Sequence, residues 1–400
     1  MKFTVSREAF LKAFSAAENI CPNKTDRPCL HAVRATVDKT GCTLEATDLE
    51  NCLTVSVAGV VDKPGQCLLP VQTTSSIFRE SRCDQMVIEA KQDGQVTIIS
   101  ETGDWTLQTE GVHDFPPIRG FSPVDEKWST VPSLWLREAL RRTIFATDPN
   151  NTSYALGGVC IEFTEKGRCY VAGTDARRIS VMSTEAQAHG GHKTAEYAAI
   201  IPQKAAKRIW QALDEMETNC DISITSDHLS LRCGTLEFHA SLLAGRFPQW
   251  RRAIEACGDS TALAIPAGIL CSLMRQAMIV TSKETRGLVF EFTPSMLKVS
   301  SAATERGKSG VQVPIVLRGD PLTLEVKGTY IQEFAALLKP EVPVTIEMKD
   351  HHTAVLFSTE DGQYYTTATI VQDEAEPEAK PEPAKKAGKG KKGEEVAVGS

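Results

Sequence analysis

The sequence predicts an α+β protein built from three tandem copies of one unit, each with two helices packed on antiparallel strands. Three recurrences carry that reading. The strand-proline-helix stretch QCLLPVQTTSSIFRES (66–81) returns as YAAIIPQKAAKRIWQAL (197–213); a third version, LTLEVKGTYIQEFAALL (322–338), keeps the pattern with Val326 at the proline position. The pair Phe115-Pro116 returns as Phe247-Pro248. The pair Thr47-Asp48, following a strand-like run, returns as Thr174-Asp175 after the run CYVAG.

Each unit opens with a helix. SREAFLKAFSAAENI (6–20) offers Ser6 as N-cap and sets Phe10, Phe14 and Ala17 on one face. VPSLWLREALRRTIFA (131–146) has Pro132 near N1 and Leu136, Leu140 and Ile144 on one face; IPAGILCSLMRQAMIV (265–280) repeats the device with Pro266. Between the helices lie alternating runs such as QVTIISE, CDISITSDHLSLRCG and VPVTIEMKD, read as strands. The expected domains are 1–124, 125–252 and 253–372. Residues 373–400 lack aromatics, Ile and Leu and are expected to be a disordered tail, whose basic run KKAGKGKKG either solvates the chain end or touches nucleic acid.

Four hundred residues suit two or three domains, and the net charge of −7 excludes a surface coated in base without excluding local basic patches. The N-terminus carries no signal pattern, no apolar run reaches membrane-spanning length, and twelve scattered cysteines show no C-x-x-C pair. A reducing cytoplasm with thiols packed as small hydrophobes is expected. No nucleotide-loop, nucleophile-elbow or zinc-protease motif is present. The run HGGH (189–192) reads as a flexible surface loop and Asp350-His351-His352 as a turn, so neither a metal nor a cofactor is expected.

A Thr-Asp pair written in two units with different flanks is explained by turn capping, which makes Thr47, Asp48 and Asp175 structural. Thr174, Arg177 and Arg178 stay open, because only the second copy adds arginines. Cations gather on helices: Lys204, Lys207 and Arg208 at i, i+3, i+4, Arg137 and Arg141 with Arg142 beside them, and Arg7, Lys12, Lys24 and Arg27 in or after the first helix. They read either as solvated faces or as one concave lining for phosphates. Three similar domains in a row expose a sheet edge at each end. Two such arcs joined head to tail would close into a ring of six domains with twelve helices around the hole.

MKFTVSREAFLKAF, ATDLE (46–50), TDARRIS (174–180), GRFPQWRR (245–252) and TSKETRG (281–287) together resemble the bacterial sliding clamp family, the β subunits of DNA polymerase III, in register from residue 1 to about 372. The resemblance implies DNA-clamp domains and a homodimeric ring that encircles duplex DNA without reading sequence. It also implies that the replicative polymerase and clamp loader bind through short peptides. The implied peptide pocket comprises Leu156, Thr174, Ala176, Arg177, Arg178, Ile179, Pro248, Ala253, Tyr330 and Ile370, with Thr174 and Arg178 orienting the peptide. The implied DNA-facing residues are Arg27, Asn150, Tyr154, Lys204 and Arg252. The implied ring seam packs Trp105 and Leu107 against Ile279 and Val280 of the partner. Departures are Ala176 for a frequent glycine, Lys327 for an amide, ATIVQ (368–372) as the closing strand, and a thinned acidic run at Glu305.

The leading expectation is therefore a non-catalytic processivity clamp. The alternative weighed is a clamp-like paralogue serving as a peptide scaffold for a specialised polymerase or repair factor. An enzyme using Asp175 and Arg178 is a remote third.

Overall fold

The computed structural model describes residues 1–370 apart from 93, 149, 151–155, 214–217, 258–260, 282–286 and 302–306. Tyr154, Glu305, most of 281–287 and the tail 373–400 lie outside the described residues.

Proline punctuates the fold. Helices α2 (Val71–Glu80), α3 (Ser133–Ile144), α4 (Gln203–Ala212) and α6 (Ala267–Ala277) each start directly after a strand that ends in Pro70, Pro132, Pro202 or Pro266. A proline has no N–H for the next ladder bond, and its fixed φ turns the chain into the first helical residue. These prolines sit at the N-cap, one position earlier than the expected N1. Helix α1 (Arg7–Glu18) instead uses Ser6, whose side chain accepts from the Ala9 N–H at 3.5 Å. In α7 (Gly328–Ala335) the N-cap is Lys327, so the proline position of the third copy is Lys327 and not Val326. A short helix, α5 (Trp250–Ala256), fits no sequence expectation, since seven residues are too few to show a periodicity. No helix among the described residues is long and apolar enough to cross a membrane.

Every ladder among the described residues is antiparallel. Two of the four sheets belong to one copy each: a five-stranded sheet ending at Gly103–Gln108 and a four-stranded sheet ending at Gly310–Pro314. The other two cross between copies. A nine-stranded sheet forms where Leu236–Ser241 pairs with Asn51–Val57, Phe238 opposite Leu53. An eight-stranded sheet forms where Gln363–Thr367 pairs with Arg178–Glu185, Tyr365 opposite Ser180. Both joints follow one rule: the strand leaving a Thr-Asp turn accepts the last hairpin strand of the next copy.

The eight-stranded sheet is covered on both faces at Gly158–Phe163. In Gly158–Phe163 the side chains of Val159, Ile161 and Phe163 enter the large core shared with α3 and α4, whereas Cys160 faces Phe247 and Trp250 on the other side. The strand is therefore buried at every residue, which its near-continuous apolar run reflects. The cysteines are all free; burial pushes Cys42 and Cys67 up to about 12, in keeping with packed thiols.

The HGGH run corrects the sequence expectation. His192 is buried, with Nδ1 on Ser129 Oγ at 2.8 Å and Nε2 accepting from the Ile224 N–H at 3.2 Å. His189 stacks on Trp128 at 4.7 Å. The two histidines staple the edge strand Gln187–His189 to its neighbours. Asp350 caps its turn as expected, accepting from His352 and Thr353.

Gly173 precedes the second Thr-Asp turn with no room for a side chain: a Cβ there would lie 2.2 Å from the carbonyl oxygen of Thr143 at the end of α3. Gly173→Ala should lower unfolding free energy by about 1–3 kcal/mol or more in urea titrations, because the obstacle is helix backbone.

Candidate functional site

The two Thr-Asp turns are the same object built twice. In the first, Thr47 Oγ1 donates to the Asn51 carbonyl at 2.9 Å and accepts from Leu49 N–H at 2.9 Å, while Asp48 Oδ1 accepts from the Glu50 and Asn51 N–H groups. In the second, Thr174 Oγ1 donates to the Arg178 carbonyl at 2.7 Å and accepts from Ala176 at 3.1 Å, while Asp175 Oδ1 accepts from Arg177 and Arg178. The central residues, Leu49 and Ala176, have φ of 80° and 71°. That left-handed conformation is the physical reason a glycine would suit position 176. The capping reading of Thr47, Asp48 and Asp175 follows directly. Thr174, expected to orient a peptide, spends its hydroxyl inside the turn.

Each turn also holds a joint between copies. Arg208 of α4 reaches Asp48 Oδ2 at 2.5 Å and donates to the carbonyls of Asn19 and Ile20, just beyond the end of α1. Lys204 adds a second contact to Asp48 at 3.0 Å. At the next joint Arg178 donates to Asp175 Oδ2 at 3.0 Å, to Glu333 of α7, and to the Phe145 carbonyl beyond α3 at 2.8 Å. Its guanidinium also lies over the Tyr330 ring, 4.5 Å from the centroid. Arg141 donates to the Leu337 carbonyl and Arg142 to Asp361. Arg208 and Arg178 are buried. The helix cations expected to form solvated or concave faces are thus, at Arg208, Arg141 and Arg142, braces between copies. Asp175 and Arg178 hold each other in place.

The accessible part of the expected peptide pocket is smaller than its residue set. Ile179 is half-buried against the cluster of Phe247 and Trp250, with Pro248 and Ala253 half-buried on the chain around them. Ala176 and Arg177 are exposed at the turn tip, and the Arg177 carbonyl accepts from the Ala368 N–H. Tyr330 is half-buried between Arg178 and Lys327, and Ile370 is exposed beside the Glu325 backbone. Leu156, Thr174 and Arg178 are buried. The accessible set is apolar with cationic flanks, drawn from both sides of the second joint.

Of the expected DNA-facing residues, Lys204 lines a cleft of about 840 Å³ with Lys24, Arg79, Lys207 and the chain leaving α1. Arg27 is exposed three residues beyond Lys24, and Asn150 is exposed after Asp148. Arg252 is not part of that cleft. It rides on α5, which packs on the opposite face of the Gly158–Phe163 sheet from α4. Its neighbour Arg251, which the sequence reading passed over, is boxed by Tyr170, Tyr197 and Trp250 and makes a two-pronged ion pair with Glu162. Of the expected seam residues, Trp105 and Leu107 on the edge strand Gly103–Gln108 pack against the core of the first copy, and Ile279 is 74 % exposed just after α6, with Val280 half-buried beside it.

Family models for the DNA polymerase III beta subunit match here over 1–119 (N-terminal domain) and 130–249 (central domain). The chain belongs to that family, the beta sliding clamps. It is 23 % identical over 366 residues to the clamp of Pseudomonas aeruginosa, covering 90 % of this chain and 96 % of that one. It is 26 % identical over 326 residues to the Chlamydia trachomatis clamp, covering 82 % and 76 %. Its fold matches a crystal structure of the P. aeruginosa DnaN sliding clamp bound to griselimycin with a TM-score of 0.85 at 22 % identity, over 93 % of this chain and all of that one. The DNA polymerase III beta subunit from Thermotoga maritima matches at 0.82 and 17 % identity, over 93 % and 99 %.

Glu333 and Arg208 were missed as joint residues, although aligning 202–213 with 327–338 puts them at one position with opposite charge. Asp48 gives the pH signature of the first joint. Burial raises its affinity for a proton, but hydrogen bonds from Arg208 and Asn51 outweigh this and hold it down at about 2. A depressed carboxylate stabilises the fold above its unfolded value near 4 and loses that contribution as pH falls towards 2. Asp48→Asn should therefore be less stable than the parent at pH 7 by on the order of 2 kcal/mol, and the two urea unfolding curves should converge by pH 2.

Proposed function

We propose that this chain works as a DNA sliding clamp by pairing with a second copy into a closed ring of six similar domains, with boundaries near 124, 252 and 372. One observation supports closure most strongly. Both internal joints use the same two edge types, and the chain has one of each left over: Gly103–Gln108 at the first copy and Gly310–Pro314 at the third. Gly103 closes its hairpin as Leu236 does, opposite Ser100 and Cys233. Val311 stands opposite Val299 as Val55 stands opposite Leu44. Since Leu236 faces Val55 across the first joint, the equivalent seam pair is Gly103 with Val311. In that register Trp105 and Leu107 fall on the same face as Val311 and Val313, all half-buried.

The ring holds DNA by enclosure. The cleft cations Lys24, Lys204 and Lys207, with Arg27 beside them, offer phosphate contacts that are few and carry no base information, so the ring slides. No catalytic step is assigned. Partners dock extended peptides on Ile179, Pro248, Ala253 and Ile370, with Tyr330 closing one side and Arg177 and Lys327 meeting polar flanks.

Loaded by its clamp loader on nicked circular duplex, the protein should stay bound through gel filtration and leave when the circle is cut; equal loss from both forms contradicts enclosure. Griselimycin, bound in the P. aeruginosa relative, should compete with a fluorescent polymerase peptide for this chain. Ile179→Asp should weaken that peptide at least about tenfold by fluorescence anisotropy without changing the solution mass.

A further inference from the structure

The two internal joints place one guanidinium at one spot and tether it from opposite sides. The turns align Asn51 with Arg178, the second helices align Arg208 with Glu333, and the first helices align Asn19 with Phe145. In the first joint the guanidinium arrives from the helix of the following copy: Arg208 contacts the turn acid Asp48 and the Asn19 carbonyl, and the turn supplies a neutral Asn51. In the second it arrives from the turn itself: Arg178 contacts the turn acid Asp175 and the Phe145 carbonyl, and the following helix supplies Glu333. Each site holds one guanidinium against its turn carboxylate. The side chains of Arg208 and Asp48 are 7 % and 5 % exposed, and those of Arg178 and Asp175 are 10 % and 15 %.

We propose that this exchange of tethers is a specificity code that tells the sheet edges which partner to accept. The danger it meets is built into the repeat. Three similar copies present similar edges, and an edge strand will pair with any compatible edge. In a wrong joint between Gln363–Thr367 and Asn51–Val57, Glu333, whose side chain is 52 % exposed, would face the buried Asp48 with no guanidinium, leaving Asp48 unpaired beside a second carboxylate. In a wrong joint between Leu236–Ser241 and Arg178–Glu185, Arg208 and Arg178 would compete for one site. Each error is excluded by an uncompensated buried charge, which is costlier than any weak surface attraction is helpful. At the equivalent position of α2 the chain carries Ser76, whose hydroxyl donates to its own helix at the Gln72 carbonyl. The edge reserved for the second copy thus presents neither sign there and matches neither internal brace.

The test rewrites the first joint in the second joint's terms within the full chain. Arg208→Glu and Asn51→Arg are made singly and together, and the thermal midpoint is measured. Each single change should lower the midpoint by roughly 5 °C or more, the first by removing the guanidinium that pairs Asp48 and the second by adding a rival. The double variant should recover at least half of the larger loss. Both internal joints in the double variant then accept one another, so refolding from urea should give misjoined higher oligomers by light scattering where the parent refolds cleanly. A double variant no more stable than its worse single overturns the shared guanidinium site. A double variant that regains stability and refolds as cleanly as the parent overturns the code.

Discussion

An antiparallel sheet cannot end on an open edge without inviting a partner, and this chain turns that constraint into its construction rule. Each copy offers an acceptor edge after its first hairpin and a donor edge at its last. The Leu236–Ser241 and Gln363–Thr367 ladders consume two of each within the chain. What remains is one donor and one acceptor at opposite ends of the same molecule. Residues 1–370 thus form one compact unit whose ends are complementary by descent from its own interior, so the simplest closed solution is a second copy placed head to tail.

The same rule accounts for where the charge goes. A protein of net charge −7 that must surround a polyanion would be expected to spend its cations on the inner surface. Much of the arginine is instead spent on joints, where Arg141, Arg142 and Arg208 on helices and Arg178 at a turn bond carbonyls and carboxylates across copies. The cations proposed to meet phosphate are exposed side chains such as Lys24 and Lys207, and one of them, Lys204, is partly held by Asp48. That division suits the proposed ring, in which buried, paired guanidinium would supply stiffness while contact with DNA would stay shallow enough for sliding.

Much of this was legible in the sequence, and what was not has physical reasons. The repeat, the helix starts at Ser6 and after the prolines, and the capping role of Asp48 and Asp175 could be read because short-range chemistry fixes them. His192 read as a loop residue because its partners Ser129 and Ile224 are remote in sequence. Arg208 read as part of a basic face because helical spacing shows which residues are neighbours but not which side another copy covers. Arg178 and Thr174 were legible as special and illegible in role. The Arg178 guanidinium points into a joint that exists only once the third copy is docked, and the Thr174 hydroxyl is taken up inside its own turn. Arg252 was grouped with Lys204 by family pattern, whereas α5 and α4 lie on opposite faces of one sheet.

The most direct test of the account is a mixed crosslink across the seam. Gly103 has open space where a Cβ would project, so a cysteine there is tolerated. Chains carrying Gly103→Cys should form a disulfide with chains carrying Val311→Cys, giving a covalent pair of twice 43.6 kDa whose linked peptide is identified by mass spectrometry. Neither variant alone should crosslink through its new cysteine. A 103–103 or 311–311 link, or a mixture that stays monomeric under oxidation, would contradict head-to-tail closure and with it the rule that builds the chain.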